Sequence, residues 1–378
     1  MYRNKKNEGS FKKIKIMKFF LIGTGLIGGS MSKDLRNLLD KIQIHGIDKN
    51  EINIKHAKNI GVIDNIDCLE NLSTADRVIL SVPVSESLKI LPFVLDNLNK
   101  DALVWDVGST KFSLCKSVEN HSKRDQFLAT HPIAGNEFSG PEASEENLFN
   151  GKIQILCETN RTRLDLLHWA ESVFNSMGMK IRYMDPEEHD KKMAIVSHLS
   201  HISSFMLGKT VMESVKSNQN ILDFAGSGFE STVRLAKSSP EMWTSIFKDN
   251  SKNIMEILDA YIENLKQFKF KIENENYSDL KNQMIKTNQV MMIGNRIIEE
   301  SENLIKGTIS KSDELKLAQA GIDRQLAERI VRQYKEYGVG VGARNTGDLK
   351  YNRIAKSDEW DDIEVANVFK SDGWKKVE

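Results

Sequence analysis

His131 closes the apolar run of "QFLATHPIAG" (126–135), with Pro132 and Gly135 fixing the polar loop behind it. A neutral imidazole near pH 7 can take a proton from a hydroxyl, so a histidine delivered by a strand end is a candidate general base. The competing reading is a structural histidine satisfied by its neighbours. Far upstream, Gly23-Thr24-Gly25-Leu26-Ile27-Gly28 has the G-x-G-x-x-G spacing of a dinucleotide-binding turn. Gly23 permits the tight turn, Gly25 lets the backbone approach a pyrophosphate, and Gly28 lets the following helix pack close to the strand. The helix N-terminus then offers free N–H groups and a positive dipole end to phosphates. Asp48 follows twenty residues after Gly28. A carboxylate there accepts from both adenosine ribose hydroxyls and repels a 2′-phosphate, which favours NAD over NADP.

Other polar residues sit where apolar segments end or inside them. Ser81 and Pro83 close "DRVILSVPV" (76–84), and Ser109 follows "ALVWDVG", with Ser109 or Thr110 expected to cap a helix. Ser197, His198, Ser200 and His201 lie in a stretch, 193–207, that is apolar on nearly every side and should be buried. Buried polar groups need partners, so these four either satisfy one another or line a pocket. His198 and His201, three apart, share a helix face. A metal site would need further ligands, and the nearby Glu and His residues lack a metalloenzyme spacing, so substrate contacts are favoured and no metal is expected. Arg234 stands among Val233, Leu235 and Ala236. An arginine so placed has an anionic partner, either a carboxylate of the protein or one of a ligand.

The elements that must position these groups are legible as alternating strands and helices. "FFLIGTGLIGGS" (19–30) is a strand entering the glycine turn, and Ile27, Met31, Leu35 and Leu38 or Leu39 recur on one helical face behind it. "KIQIHGID" is the next strand and ends on Asp48. The segments 76–84, 102–111, 126–135, 152–158 and 180–185 read as further strands. This order implies a Rossmann-type, doubly wound, mostly parallel sheet over 17–185, whose ligands bind at the carboxyl ends of the strands. Gly23–Gly28, Ser81–Pro83, Ser109 and His131 all fall at such ends. Asp185-Pro186-Glu187-Glu188 is then a strong helix start. It opens an all-α second domain over 186–285, with a long amphipathic helix expected from Glu241 to about Asn274.

Composition narrows the class. The 378 residues carry 53 basic and 53 acidic side chains, so no basic excess argues for nucleic acid as a partner. No apolar run approaches the ~20 residues that span a bilayer. The basic leader before Met17 and the apolar run after it have the outline of a secretion signal, but a helix and an acid-ended strand follow where a cleavage site should stand. Residues 1–16 are expected to be a disordered leader. Cys68, Cys115 and Cys157 have no metal spacing and are an odd number, which fits reduced thiols in a cytoplasmic protein. All six prolines lie between Pro83 and Pro240. Residues 286–378 read as a polar C-terminal extension of unassigned role, ending in a charged stretch with Trp360 and Trp374.

Taken together, "GTGLIGGS", "DVGSTK", "HPIAGNEFSG", "DPEEHDKKMAIVSHLSH" and "GFESTVRLAKSSPEMW", in that order, resemble prephenate dehydrogenase of tyrosine biosynthesis. The resemblance covers roughly 17–285. It implies an NAD-dependent oxidative decarboxylation: hydride leaves the ring carbon bearing the 4-hydroxyl, the ring carboxylate leaves as CO2, and 4-hydroxyphenylpyruvate forms. It also implies that His131 is the base, that Ser109 hydrogen-bonds near the hydroxyl and the nicotinamide, and that Arg234 holds a substrate carboxylate. Ser197, His198 and His201 would line the pocket, and the chain would form a homodimer through its helical domain. Glu230 departs from the pattern, standing where many relatives carry a basic residue. Arogenate as substrate, another hydroxyacid dehydrogenase, and a non-catalytic nucleotide-binding protein are the alternative readings.

Overall fold

The computed structural model describes residues 16–215 and 220–287, together with 306, 307 and 328. The expected leader and nearly all of the expected C-terminal extension, Trp360 and Trp374 included, lie outside the described residues.

Eight strands form one sheet: β1 Met17–Ile22, β2 Ile42–Ile47, β3 Asn65–Ile66, β4 Arg77–Leu80, β5 Leu103–Asp106, β6 Phe127–Pro132, β7 Ile153–Cys157 and β8 Lys180–Met184. Their order is β3-β2-β1-β4-β5-β6-β7-β8. Every pairing is parallel except β6 with β7, where the long polar loop after His131 brings the chain back antiparallel. From Phe19 to Ile22 β1 is a continuous apolar run because both faces of a parallel sheet are covered. Phe19 and Leu21 enter one core, with Met31, Leu35, Trp105 and Phe174. Phe20 and Ile22 enter the other, with Leu91, Val94, Leu95 and Leu114. These four of the six β1 side chains are nearly or fully buried, and burial of each contributes about 1.5–3 kcal/mol.

The helices that supply these faces are α1 Leu26–Leu38, α2 Glu51–Asn59, α3 Val84–Asn97, α4 Phe112–Ser117 and α5 Leu164–Ser176. Beyond β8 the chain is helical: α6 Pro186–Met193, a π-helical turn Ala194–His198, α7 Leu199–Val215, α8 Ser227–Val233, α9 Pro240–Asp249 and α10 Ser251–Glu273. Asp185 caps α6, accepting from the N–H groups of Glu187 at 2.8 Å and Glu188 at 3.2 Å. Ser239 caps α9.

Three expectations are corrected. The long helix from Glu241 to Asn274 is two helices, because Asn250 breaks it. Its buried side chain donates to the Asp190 carbonyl at 2.7 Å instead of leaving the backbone regular. Neither Ser109 nor Thr110 caps the helix after β5; Asp190 of α6 does so from outside the segment. Finally, the apolar stretch 193–207 is not buried throughout. Met193, Ala194 and His198 are, but Ile195, Val196 and Met206 are exposed, and Ser204 is the buried residue of α7. α6 packs on α4 and the π turn on α6 and α10, while α7 runs on against α8 and α10.

Candidate active site

β1, β4, β5 and β6 run in one direction, so the residues that follow them share one edge of the sheet. The strand order reverses between β1 and β4, which opens a crevice there. Gly23 sits at its floor with φ +93°. A side chain at Gly23 would strike the Ser81 carbonyl, and one at Gly28 would lie 2.5 Å from the Gly23 carbonyl and 2.8 Å from Leu21. The turn therefore closes only with glycine at both positions. Gly25 is different: a Cβ there would meet nothing within 4 Å. It is the N-cap of α1, no side chain caps that end, and the first turn carries no acid. Gly25, Leu26 and Ile27 thus present backbone N–H groups to an open approach, which is the cradle a pyrophosphate needs. Thr24 is buried beneath it.

Asp48, directly after β2, has partners within the protein that its spacing did not reveal. Its Oδ2 accepts from Thr24 N and Thr24 Oγ1, both at 2.9 Å, and its Oδ1 accepts from Asn50 N at 2.9 Å. It ties the glycine turn to the end of β2 while staying partly exposed beside the crevice. Ser81 and Pro83 flank the same crevice, Pro83 at the start of α3. The Gly108–Ser109 turn follows β5, and the Ser109 hydroxyl is half-buried with no hydrogen-bond partner among the described residues.

His131 is half-buried at the end of β6. The loop behind it reaches the glycine turn: a Cβ on Gly135, at φ +143°, would lie 3.8 Å from Ile27. The Nδ1 atom of His131 is 2.9 Å from His189 Nε2, and His189 Nδ1 is 2.7 Å from Asp190 Oδ1. Asp190 also accepts from Lys111 N at 2.8 Å and Phe112 N at 2.9 Å. Lys111 is wholly buried and donates its Nζ to Asp106. Burial, then the neighbouring His189, Lys111 and His198, hold the His131 imidazole well below the ordinary histidine range. Burial does the same for His189, with Lys111 and His198 adding to it. A ring held neutral near pH 7 keeps a lone pair available.

The π turn shifts the register of the helix after α6. His198 is buried, its Nδ1 lies 3.2 Å from the Asn250 side-chain nitrogen, and burial brings its pKa to about 4. The amide can only donate there, so His198 carries its proton on Nε2. His201 donates Nδ1–H to the Ser197 carbonyl at 3.1 Å and stacks on Trp243 with ring centroids 3.7 Å apart. His198 meets the same indole edge-on at 5.8 Å. Ser197 is half-buried and Ser200 is exposed on the far side, bonded back to Val196. Trp243 is buried, and its indole N–H has no partner among the described residues. Arg234 finds its anion in Glu137 of the loop after His131, at 3.0 Å.

His189, Asp190, Lys111, Asn250 and Trp243 are the polar and aromatic neighbours that sequence reasoning did not single out as site residues. The one signal was a polar pair, His189-Asp190, one turn into a helix whose opening reads as solvated.

Two family descriptions match the chain: the prephenate dehydrogenase nucleotide-binding domain over residues 31–183 and the prephenate dehydrogenase dimerization domain over 185–286. Prephenate dehydrogenase of Bacillus subtilis is 30% identical over 264 residues, spanning 69% of this chain and 71% of that one. The chain belongs to the prephenate dehydrogenase family. Among solved structures, the prephenate dehydrogenase of Aquifex aeolicus in complex with hydroxyphenyl propionate and NAD+ superposes with a TM-score of 0.68 at 33% identity. That match covers 74% of this chain and 99% of the other. Arogenate dehydrogenase of Synechocystis superposes with a TM-score of 0.59 at 29% identity, covering 73% and 99%. The protein is a dehydrogenase of the prephenate/arogenate type, with a nucleotide-binding sheet domain and a family dimerization segment. No helix among the described residues is long and apolar enough to cross a membrane.

Proposed function

We propose that this chain is an NAD-dependent prephenate dehydrogenase, oxidising and decarboxylating prephenate to 4-hydroxyphenylpyruvate in tyrosine biosynthesis. The observation that carries this reading is His131: a neutral imidazole at the carboxyl edge of the sheet, joined by its loop to the glycine turn. NAD, bound over that turn, supplies the hydride acceptor. Gly23, Gly25 and Gly28 shape its cradle, Thr24, Leu26 and Ile27 complete the turn, and Asp48 receives the ribose hydroxyls on its exposed side. Ser81 and Pro83 wall the crevice.

The residues' work follows from charge. As hydride departs the carbinol carbon, its hydroxyl must lose a proton, and His131 Nε2 takes it. Ser109, with its hydroxyl uncommitted, hydrogen-bonds the same oxygen and the nicotinamide edge. The ring carboxylate leaves as CO2, and its bonding electrons complete the aromatic ring. Arg234 holds a substrate carboxylate by exchanging it for Glu137. Ser197, His198 and His201 line the remaining wall, with the His198 Nε2–H as a fixed donor. The chain forms a homodimer through its helical part, which fits the exposure of Val196, Met206, Met212 and Phe224 there.

One observation favours a second reading. Glu230 stands on the exposed first turn of α8, one helical turn before Arg234. An acid suits the side-chain ammonium of arogenate better than the oxo acid of prephenate. Steady-state NADH formation with both substrates decides. The proposal expects kcat/KM for prephenate with NAD to exceed that for arogenate. Oxidation of arogenate alone shifts the assignment to the second reading, and oxidation of neither removes both.

A further inference from the structure

His189 and Asp190 are not needed to name the reaction, yet they stand in line behind the Nδ1 atom of His131. We infer that His189 and Asp190 are positioning residues for the base. They form a relay that fixes His131 in the single tautomer able to accept the substrate proton. The inference rests on His131 being the base in the function proposed above.

The assignment follows from donors and acceptors alone. Asp190 takes two backbone N–H groups, Lys111 N on Oδ1 and Phe112 N on Oδ2, and the Lys111 ammonium lies buried nearby with Asp106. A carboxylate so surrounded acts as an acceptor. His189 must therefore place its proton on Nδ1, which is 2.7 Å from Asp190 Oδ1. A neutral His189 then has a bare Nε2, and across 2.9 Å that atom can only accept. His131 must donate from Nδ1, which leaves its Nε2 as a lone pair. Two hydrogen bonds in series thus transmit the position of one carboxylate to the reactive nitrogen. When His131 takes the substrate proton, its Nδ1–H stays on His189 and the new positive charge faces Asp190 through one ring. Asp190 has a second task that ties it in place: it is the cap of α4. The base, the turn after β5 and the start of the helical part are therefore held by one carboxylate.

The rings also pack at 68° with centroids 5.1 Å apart, so the pair is held in shape as well as by hydrogen bonds. A bare structural role would require only that the buried polar atoms be satisfied. The relay requires a direction, with both protons on Nδ1.

That direction is measurable without any substrate. In the full-length protein, 15N–1H correlation of the histidine rings near neutral pH should show His131 protonated at Nδ1 and bare at Nε2. A wild-type His131 protonated at Nε2 overturns the inference outright. His189→Phe keeps a flat ring but removes the acceptor. It should release His131 to the Nε2–H tautomer and lower kcat at least about tenfold, while the KM for NAD stays within about twofold. His189→Gln, whose Oε1 can accept from Nδ1–H, should recover much of the lost turnover. A folded His189→Phe protein with unchanged tautomer or unchanged kcat would contradict the relay, as would equal loss in both variants. Should His189→Phe fail to fold, the wild-type tautomer and the His189→Gln rates still decide. If the wild-type protein oxidises neither prephenate nor arogenate, the functional reading fails, while the tautomer result stands on its own.

Discussion

His131 earns its role by its surroundings. It is half-buried, kept neutral by burial first and then by its neighbours His189, Lys111 and His198, and backed by a second histidine. Replacing it by asparagine preserves size and a hydrogen-bonding group but removes the basic nitrogen. His131→Asn should lower kcat by about 10²–10⁴-fold, because that is what a positioned base contributes. NAD affinity should be unchanged, since the glycine turn is intact; fluorescence titration and initial rates measure the two effects separately. Turnover that survives would take His131 out of the mechanism. At this scale the sequence was most informative where function depends on residue type plus chain position. The positions of the glycine turn after β1, of Asp48 after β2 and of His131 in β6 were all legible. What was not legible was the partner of each group. Asp48 binds Thr24 at a separation of 24 residues, and Arg234 pairs with Glu137 at a separation of 97. Such pairings are products of tertiary packing and leave no local pattern.

At the scale of elements, α6 and the π turn carry an electrostatic cost. His189 and His198 are buried neutral, with His198 brought down to about 4, and His131 is lowered beside them. Each has a folded-state pKa below its unfolded value, so the unfolded chain binds protons that the folded chain does not. Stability attributable to these groups is present above the ordinary histidine value of 6.5 and is lost as pH falls below it, down to about 4 for His198. The slope is about 1.4 kcal/mol per pH unit for each histidine. Asp106 and Asp190, raised by burial, bind protons more readily folded and oppose this loss at the acid end. Calorimetric Tm should therefore decline steadily from about pH 6.5 to about pH 5. A Tm that stays level over that window would show that the histidines are not buried neutral. Elements were legible where hydrophobic period or a cap marked them: the strand runs and the Asp185-Pro186 start both lie where expected. They were misread where a polar side chain from another element intervened. Asn250 breaks the long helix because its amide serves Asp190 and His198, and Asp190 displaces the expected serine cap of α4.

At the scale of the molecule, the sheet brings a glycine cradle, an imidazole and an uncommitted serine to one edge, and the helical part closes over it through a few polar ties. Lys49 meets Glu241 at 3.5 Å, Ser245 accepts from Ser85 N at 3.0 Å, and Arg234 meets Glu137 at 3.0 Å. The exposed apolar side chains of α7 and α10, Met212 at 71% and Met255 at 59% among them, belong to the segment that matches the family's dimerization domain. A stretch that reads as buried from sequence is thus half-covered within one chain, because hydrophobic pattern does not say which molecule covers it. The central claim is a convergence: imidazole, guanidinium and nicotinamide on one small dianion. The measurement that tests it most directly is a crystal structure of the protein with NAD and a hydroxyphenyl propionate ligand. The account predicts His131 Nε2 within about 3.2 Å of the ligand hydroxyl and Arg234 turned from Glu137 to the ligand carboxylate. A ligand hydroxyl out of hydrogen-bond and single-water reach of His131, with Arg234 still on Glu137, would contradict it.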